Sequence, residues 1–496
     1  MPPWLRRFLR GKALKFHFLA AITIGLVLRC LCAFFVYGPQ ALDDYKHGVY
    51  PAYQLFAGQA YNDLPDYRSH LLVWILAAFI KIGSWLGATS ALAQVRWMYF
   101  GLGLISLLGI FGTYLFVKTF RSRLFAALAL YLVAMFPLMP FVSTRAFGEA
   151  VAMSFVMLGF GLLENLRRQK STSIAALTLG FIILGLATFF RFHVGLLFIS
   201  YLAILIYLQA WVGVGGGILG GAFAIAGEWA IDYWSGKPAF GTLLAYLQAN
   251  EGGAKDYGVS PWYNTWLFVL AIGLAPFSFV FLKKFKALWN VHWPWILPFL
   301  IYVLVHSLVP HKEERFMYPI VGLELWAVAW LWASSAYFKL SRKLYSPVIL
   351  GLSVPLLFVV CLVNTQEGEI EPPAFAESHY QDVVYLDHES LFGMSRVQFY
   401  FLRKPSTLEQ VPKEDFSANK IDESLRLPRG PKAVVLLTSV PEVRDQLRAL
   451  EGVRTAEAQC LTMRTSGSLI DRLLYFLNPK HNQRRRPTWY LVCERA

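Results

Sequence analysis

The segment HKEERF (311–316) places five consecutive ionisable side chains between two hydrophobic stretches. Its cations suit a phosphate group, because Lys supplies a point charge and Arg matches phosphate oxygens with a planar fork. Its histidine and carboxylates could orient those cations or bind sugar hydroxyls. An ordinary solvated loop is the competing interpretation. The five residues are His311, Lys312, Glu313, Glu314 and Arg315.

A second candidate is the acidic pair Asp43 and Asp44, in the segment ALDDYKHG (41–48). A carboxylate at a membrane surface can act as a general base, which deprotonates a hydroxyl so that the oxygen attacks an electrophilic carbon. Adjacent residues of a helix point about 100° apart, so the two acids need not share one role. The alternative is an interfacial acid pair that only marks a helix end.

Two further segments combine an arginine with a second polar group. STRAFGEA (143–150) puts Arg145 and Glu149 four residues apart, which would place them on one face of a helix. FFRFHVG (189–195) contributes Arg191 and His193. We expect these arginines to stabilise a phosphate leaving group as it gains negative charge. Contact with lipid headgroups, reached by snorkelling, is the alternative for each of them.

An aromatic segment and one deep arginine complete the candidates. KDYGVSPWYNTW (255–266) carries Tyr257 and Trp262, which could form a surface for a sugar or lipid. Trp and Tyr are also ordinary at membrane interfaces. Arg29 lies well inside the first apolar stretch, where an arginine is costly and faces a partner or a polar cavity. A structural ion pair between helices is the alternative.

Membrane-spanning helices must position these residues. Of the 496 residues, 56% are hydrophobic and 16% are charged, and the mean hydropathy is +0.46. Soluble proteins carry about 25% charged residues. Apolar stretches long enough to cross a bilayer recur along the chain, which favours helices over a barrel. Basic residues in short loops at the membrane explain the net charge of +15, so we predict no nucleic-acid partner.

The basic clusters predict the topology. If all five lie in the cytoplasm, the number of crossings between any two of them is even. The stretch 70–87 contains Lys81 and has an uneven apolar face, so we expect it to be interfacial or partly inserted. About eleven crossings remain, with the N-terminus inside, the C-terminus outside, and HKEERF facing the periplasm or lumen. The clusters lie at 6–15, 118–123, 167–170, 283–286 and 339–343.

Residues 364–496 are more polar and are predicted to form a small C-terminal extracytoplasmic α/β domain, which leaves 1–363 as a transmembrane catalytic domain. KAVVLLTS (432–439) is typical of a strand, VPEVRDQLRALEGV (440–453) predicts a helix, and TWYLVCERA (488–496) a closing strand. Cys460 and Cys493 could pair in an oxidising compartment, and no cysteine spacing suits a metal.

Taken together, the motifs resemble family 22 of the glycosyltransferases, the multi-pass mannosyltransferases of GPI-anchor and N-glycan assembly with their bacterial relatives. HKEERF is similar to the family's His-Lys-Glu-x-Arg-Phe signature, and YGVSPWYNTW to its Tyr-Gly-x-x-Pro-Trp-His-Trp-Tyr segment. LDDYKHG resembles its first-loop pattern Pro-Asp-Glu-x-x-Gln, with Asp43 and Asp44 at the acidic positions. DYRSH resembles the Arg-Ser that closes this loop, and STRAFGEA resembles its Thr-Arg…Glu segment.

The sequence also departs from the family pattern. Leu42 and His47 stand where Pro and Gln are usual, and Tyr263 and Asn264 where His and Trp are usual. These departures predict a distant member, which we expect to be bacterial. The resemblance runs in order from about residue 25 to residue 320 and does not cover the C-terminal region.

The resemblance implies a GT-C fold, an all-α polytopic membrane bundle whose first outer loop carries the catalytic Asp. The donor would be polyprenyl-phosphate-mannose in the membrane, and the acceptor a hydroxyl of a glycan or glycolipid on the outer side. The reaction would invert the anomeric carbon and need no nucleotide-sugar site. From the motifs themselves we predict no metal or other cofactor. Asp43 would be the general base and Asp44 would assist it. The residues predicted to bind substrate are Arg68, Arg145, Glu149, Arg191, His193, Tyr257, Trp262, His311, Lys312, Glu313 and Arg315.

A transporter or flippase of a lipid-linked sugar is the alternative function. Such proteins place charges near the bilayer midplane and often show inverted repeats with broken helices. Here the charges crowd at one predicted surface, and only Arg29 is deep. A receptor or assembly protein would leave the charged clusters unexplained. The chain has no Asn-x-Ser/Thr sequon and no ER retrieval signal, which favours a bacterial inner membrane over the ER.

Overall fold

A computed structural model describes most of the chain. The described residues are 13–40, 42–59, 64–253, 258–272, 275–334, 339–380, 382–388, 390–391, 394–395, 408–412, 416–426, 431–479, 482 and 485–496. They fall into two compact units. The helical unit comprises Met1–Phe34, His47–Phe79 and Met98–Cys361, and the mixed unit comprises Phe35–Lys46, Ile80–Trp97 and Leu362–Ala496. The predicted domain boundary after residue 363 stays a prediction.

Up to residue 362 the regular structure is helical. The helices are Leu14–Phe35, Leu42–Asp44, Tyr50–Phe56, Leu71–Trp85, Ala91–Val117, Arg123–Met135, Leu138–Val142, Gly148–Arg168, Ile174–Phe190, Gly195–Tyr207, Trp211–Trp234, Gly241–Gly253, Asn264–Ile272, Ala275–Leu308, Tyr318–Ser334 and Lys339–Leu362, with a π-helical turn at Tyr45–Val49 and 3₁₀ turns at Phe192–Val194 and Glu314–Met317.

Seven helices in the described ranges are long and apolar enough to cross a membrane. A backbone in lipid must satisfy its hydrogen bonds internally, and a helix does so within one segment. Four further apolar helices are shorter, among them Leu71–Trp85, the stretch expected to be interfacial. The total of about eleven crossings stays a prediction. The seven spans are Leu14–Phe35, Ala91–Val117, Gly148–Arg168, Trp211–Trp234, Lys284–Leu308, Glu314–Ser334 and Gly351–Ala376.

The basic cluster 283–286 corrects one expectation. The sequence predicts a loop there, between two crossings, but the cluster lies inside the continuous helix Ala275–Leu308. Lys is a good helix former, so a basic cluster can mark a membrane surface without marking a reversal of the chain. The same helix contains Pro294 and Pro298.

Polar side chains join the helices of the helical unit. Arg29, which is buried, donates to the carbonyl oxygens of Gly25 (3.1 Å) and Ala134 (3.3 Å) and to the hydroxyl of Ser106. Its described partners are thus a hydroxyl and carbonyls on its own helix and on two others. This arrangement fits the alternative that Arg29 joins helices, although it does so through hydrogen bonds and not through the ion pair suggested by the sequence.

The mixed unit contains a six-stranded sheet. Its order is Leu408–Gln410, Val383–Asp387, Ala433–Thr438, Thr488–Arg495 and Ala458–Cys460, and Arg464–Ser466 also pairs with Thr488–Arg495. The first three strands are parallel, and Thr488–Arg495 runs antiparallel to all its partners. Ser390–Leu391 and Met394–Ser395 form a separate two-stranded ribbon. The helices are Glu367–His379, Ala418–Leu425, Pro441–Ala449 and Leu469–Leu477.

The predicted elements of the C-terminal region are present. The strand Ala433–Thr438, the helix Pro441–Ala449 and the closing strand Thr488–Arg495 match the expectation from the sequence. All six residues of Ala433–Thr438 are buried, because apolar clusters cover both faces of the sheet at this strand. Cys460 and Cys493, opposite each other on neighbouring strands, form a disulfide, as the sequence suggested they could.

Candidate active site

The acidic pair lies where a short helical turn, Leu42–Asp44, runs directly into the π-helical turn Tyr45–Val49. Asp44 is buried, and its Oδ2 accepts the backbone N–H of Gln40 at 3.0 Å. Asp43 is partly exposed. The two neighbours therefore differ in environment: one carboxylate is held by the backbone, and the other has access to solvent.

The segment that precedes the acidic pair is fixed within the mixed unit. Gly38 donates its backbone N–H to Oδ1 of Asn364 at 3.0 Å, and the hydroxyl of Thr365 donates to the carbonyl oxygen of Pro39 at 3.1 Å. A Cβ atom on residue 38 would lie only 1.7 Å from the carbonyl oxygen of Thr365. Only glycine allows the two segments to approach so closely.

In the helical unit, Glu149 and Arg191 form a buried ion pair. Arg191 Nη2 lies 2.7 Å from Glu149 Oε1; the Glu149 side chain has no exposed surface and that of Arg191 is 11% exposed. Glu149 sits in the first turn of Gly148–Arg168, where the positive end of the helix dipole favours an acid. Gly148 permits the contact, because a Cβ there would lie 2.6 Å from the carbonyl oxygen of Phe190.

Arg145 does not share a helix face with Glu149, which corrects the expectation from their spacing. Phe147 has an extended backbone, with φ −95° and ψ 131°, and the helix begins only at Gly148. Arg145 is fully buried, with its guanidinium 4.5 Å from the ring centre of Tyr99. The aromatic face supplies a cation–π contact, which is favourable for a desolvated arginine.

Glu313 joins the charges of the HKEERF segment. Arg315 donates a hydrogen bond from Nη2 to Oε1 at 2.9 Å, and its Nε forms an ion contact with Oε2 at 2.5 Å. His311 Nε2 lies 2.9 Å from the same Oε1. The forked contact fixes the plane of the guanidinium. Arg315 is 8% exposed and lies 5.5 Å from the ring centre of Phe147, so this cation belongs to the interior of the helical unit.

The HKEERF segment is also fastened to the predicted aromatic segment. Lys312 Nζ donates to the carbonyl oxygens of Ser260 (3.0 Å) and Val309 (2.5 Å), and His311 Nδ1 lies 3.1 Å from the carbonyl oxygen of Gly258. Burial lowers the pKa of Lys312 from its ordinary value. The lysine therefore points back across its own turn and anchors the neighbouring segment.

Arg68 contributes a further cation near these groups. Its charge acts on Glu149, on His193 and on Tyr246. Arg315 acts on Glu149 as well. Burial, and then the charge of Glu149, raises the pKa of Tyr246. The pair Glu149–Arg191 thus lies within the field of two further arginines.

Three aromatic or imidazole groups near this cluster were missed at the sequence level. The Tyr302 hydroxyl donates to the carbonyl oxygen of Phe316 at 2.7 Å, and its ring stacks on His306 at 4.1 Å. His306 in turn lies 5.0 Å from His193, ring centre to ring centre. Tyr246 is the third. In an apolar helix such as Ala275–Leu308, Tyr302 and His306 give no signal in the sequence beyond single polar positions.

Of the two aromatic candidates, Trp262 and Tyr257, the structure describes only Trp262. Trp262 is 65% exposed, and its ring meets that of Tyr263 edge-to-face at 6.0 Å. Tyr257 lies outside the described residues. An exposed indole offers a surface to a sugar or a lipid, and it is equally typical of a membrane interface.

The helical unit therefore brings together most of the predicted residues. Arg191 and Arg315 contact the carboxylates of Glu149 and Glu313, and the charge of Arg68 acts on Glu149. Lys312, the neighbour of Glu313 in the chain, is the fourth cation, and its ammonium binds backbone carbonyl oxygens. The two positive charges in excess suit an anion that carries about two negative charges, such as a phosphate monoester. Among the described residues, no group of His, Cys, Asp and Glu has the arrangement of a metal site.

Comparison with known proteins identifies a family. The profile of the Alg9-like mannosyltransferase family matches residues 60–389, which is more than half of the chain. The alpha-1,2-mannosyltransferase ALG9 of Saccharomyces cerevisiae is 32% identical over 149 residues, which are 28% of this chain and 25% of the yeast protein. ALG9 of Mus musculus is 31% identical over 108 residues, 18% of each chain. These matches span a quarter or less of the relatives' length.

A solved structure shares the fold. ArnT from Cupriavidus metallidurans, in a crystal structure bound to undecaprenyl phosphate, superposes with a TM-score of 0.59 at 13% identity, over 95% of this chain and 97% of that one. Its apo structure superposes with a TM-score of 0.55. The likeness concerns the fold, and with the seven apolar spans it identifies an integral multi-pass membrane protein of the GT-C type.

Proposed function

The chain belongs to the Alg9-like mannosyltransferase family, and we propose that it transfers mannose, or a similar hexose, from a polyprenyl-phosphate donor to a hydroxyl of a glycan or glycolipid. The cation cluster around Glu149 and Glu313 carries this proposal. Such a cluster suits the phosphate of a lipid carrier, and ArnT, with the same fold, binds undecaprenyl phosphate.

Asp43 is the proposed general base. It takes the proton of the acceptor hydroxyl while that oxygen bonds to the anomeric carbon of the donor. The bond from that carbon to the phosphate oxygen breaks, and attack from the opposite face inverts the configuration. Asp44, held by the N–H of Gln40, assists by positioning the loop that carries the base. The exposure of Asp43 and the burial of Asp44 support this division of roles.

The arginines act on the leaving group. Negative charge grows on the phosphate as it departs, and pre-positioned cations in a site of low polarity stabilise that charge. Arg191 and Arg315 are held in place by Glu149 and Glu313, so they need little reorganisation when the charge develops. Lys312, Arg68 and Arg145 add to the positive field, and His311 and His193 are proposed to orient the cluster or to bind sugar hydroxyls.

We place the reaction on the outer side of the membrane, in the periplasm or the ER lumen. The basic clusters at 6–15, 118–123 and 167–170, which flank the segments of Asp43 and Glu149, support this side. The donor lies in the bilayer, and Trp262, exposed to 65%, would contact sugar or lipid at the surface. The acceptor is a glycan or glycolipid.

Transfer by the purified chain in detergent tests the function directly. Polyprenyl-phosphate-mannose and a panel of glycolipid acceptors are supplied to wild type, to Asp43→Asn and to Asp66→Asn, the control acid in the same loop, which is exposed. We expect transfer by wild type and by the control, and a loss of about 10²-fold or more in Asp43→Asn.

Two results would contradict the proposal. Equal transfer by wild type and Asp43→Asn would move the base to another residue. Absence of transfer with every donor, together with movement of the sugar-lipid across vesicle membranes, would identify a transporter instead.

A further inference from the structure

We infer that the C-terminal region positions the acidic loop through a chain of hydrogen bonds that runs from Asp471 through Gln366 and Gln40 to Asp44. Gln366 and Asp471 are then positioning residues for the transfer reaction. This inference rests on the proposed function as far as it concerns catalysis. All four residues belong to the mixed unit.

The chain begins at Asp471, which is buried in the helix Leu469–Leu477. Its Oδ1 accepts the backbone N–H of Gln366 at 2.9 Å, and its Oδ2 accepts that of Glu367 at 3.0 Å. Arg485 Nη1 lies 2.8 Å from Oδ1 and balances the buried charge. One carboxylate thus satisfies two N–H groups at the start of the helix Glu367–His379, which a helix end otherwise leaves without partners.

Gln366 is held in an unusual backbone conformation. Its φ of 51° lies in the left-handed region, which a non-glycine residue adopts only where the surroundings require it. The two bonds from Asp471 supply that requirement. The side chain of Gln366 is 5% exposed, and its Nε2 donates to the carbonyl oxygen of Gln40 at 3.0 Å.

Gln40 passes the constraint to the acidic pair. Its carbonyl oxygen is held by Gln366, and its N–H is 3.0 Å from Oδ2 of Asp44, whose side chain is completely buried. Both hydrogen bonds are made by the backbone of Gln40. The bond from Gln366 fixes this backbone, and the fixed N–H group then orients the carboxylate of Asp44. Asp43 immediately precedes Asp44 in the chain.

The glycine at position 38 gives an independent reason to see these two segments as one assembly. The carbonyl oxygen of Thr365, the neighbour of Gln366, occupies the place that a side chain on residue 38 would need. The approach is therefore built into the backbone and does not depend on the glutamine alone. We assign to the C-terminal region a role in the reaction: its residues 365 and 366 hold the loop that carries the proposed base.

The experiment compares wild type with Gln366→Leu, which removes the side-chain N–H donor and leaves an apolar side chain one atom shorter. Gln459→Leu is the control, because Gln459 is an exposed glutamine of the same unit. Hydrogen–deuterium exchange reports on residues 36–46 without any need for activity. Steady-state transfer of mannose gives kcat and the KM for the donor.

We expect faster exchange in residues 36–46 of Gln366→Leu and no change in the control. We also expect kcat to fall by about 10- to 100-fold, since a displacement of about 1 Å can cost 10²-fold, while the donor KM stays within about twofold. Asp44→Asn alone should lower kcat, and adding Gln366→Leu to it should lower kcat little further. A merely structural role would lower kcat by the same factor in both backgrounds.

Unchanged exchange in residues 36–46 would overturn the inference, and so would faster exchange with unchanged kcat. If wild type transfers no sugar but the loop responds to Gln366→Leu, the connection between the two segments stands and the proposed function fails. Should Gln366→Leu not fold, Gln366→Gly replaces it, because glycine adopts the left-handed backbone without strain.

Discussion

The buried pair of Glu149 and Arg191 allows a sharp test of what holds the cation cluster. At the 2.7 Å separation of their charged atoms, two unit charges attract by about 6 kcal/mol at an effective dielectric constant of about 20. Desolvation of each ion, which costs several kcal/mol, offsets most of that attraction. Removal of one partner leaves the other charge buried and uncompensated, and this costs about 3–5 kcal/mol.

The variants are Glu149→Leu, Arg191→Met and the double variant. We expect each single change to lower the free energy of unfolding by about 3–5 kcal/mol and the double change to cost much less than their sum, because an apolar pair of similar volume is often tolerated in place of a buried ion pair. The coupling energy should reach about 3 kcal/mol. Mannose transfer should be lost in Arg191→Met and in the double variant, since Met cannot hold a phosphate. It should fall in Glu149→Leu, because Arg191 is then no longer held in place.

Denaturant titration in detergent, followed by tryptophan fluorescence, measures the unfolding free energies. Arg426 and Glu457 provide the matched cycle: they lie 3.3 Å apart, with side chains 63% and 32% exposed. Such an exposed pair should show a coupling of about 0–1 kcal/mol. A coupling equally small for Glu149 and Arg191 would refute the argument that the pair is buried and interdependent. If the double variant still transfers mannose, Arg191 does not bind the phosphate.

Three further predictions concern other parts of the chain. Arg315→Lys keeps the charge but loses the forked contact, so kcat/KM should fall about tenfold, whereas Glu314→Gln, an exposed neighbour, should transfer normally; equal loss in both would point to the loop as a whole. Burial lowers the pKa of His70 from 6.5 to about 4. Between pH 4 and pH 6.5 the imidazole is therefore protonated in the unfolded chain and neutral in the folded one. Stability is present above pH 6.5 and is lost as pH falls toward 4, and His70→Gln should flatten the curve of melting temperature against pH there; an unchanged curve would exclude His70. The sulfur atoms of Cys32 and Cys361 lie 3.1 Å apart, so copper phenanthroline should join them in a disulfide that peptide mass mapping detects; free thiols at both positions after treatment would contradict the packing.

The sequence predicts the site best where the functional groups are close neighbours along the chain. His311, Glu313 and Arg315 occupy alternate positions of one short turn, and the structure joins all three through the Glu313 carboxylate. The strand and helix at 433–449 were equally predictable, because a continuous apolar run followed by an amphipathic pattern specifies both elements. The roles assigned to these residues stay predictions.

Failures arise where a local break or a distant partner decides the geometry. The spacing of Arg145 and Glu149 suggested one helix face, but the extended backbone at Phe147 separates them. Glu149 pairs with Arg191, which lies 42 residues further along the chain. No local sequence pattern predicts a partner at that distance. The same holds for Gln366, whose contacts with Gln40 and Asp471 depend on three segments that only the folded chain assembles.

The place of the strand Thr488–Arg495 in the sheet has a consequence for the order of events during biosynthesis. This strand lies between Ala433–Thr438 on one side and Ala458–Cys460 and Arg464–Ser466 on the other, and all of these precede it in the chain. The sheet therefore cannot close until the ribosome has passed residue 495. By then the seven candidate membrane spans of the described residues have been synthesised, so the sheet of the C-terminal region forms after them.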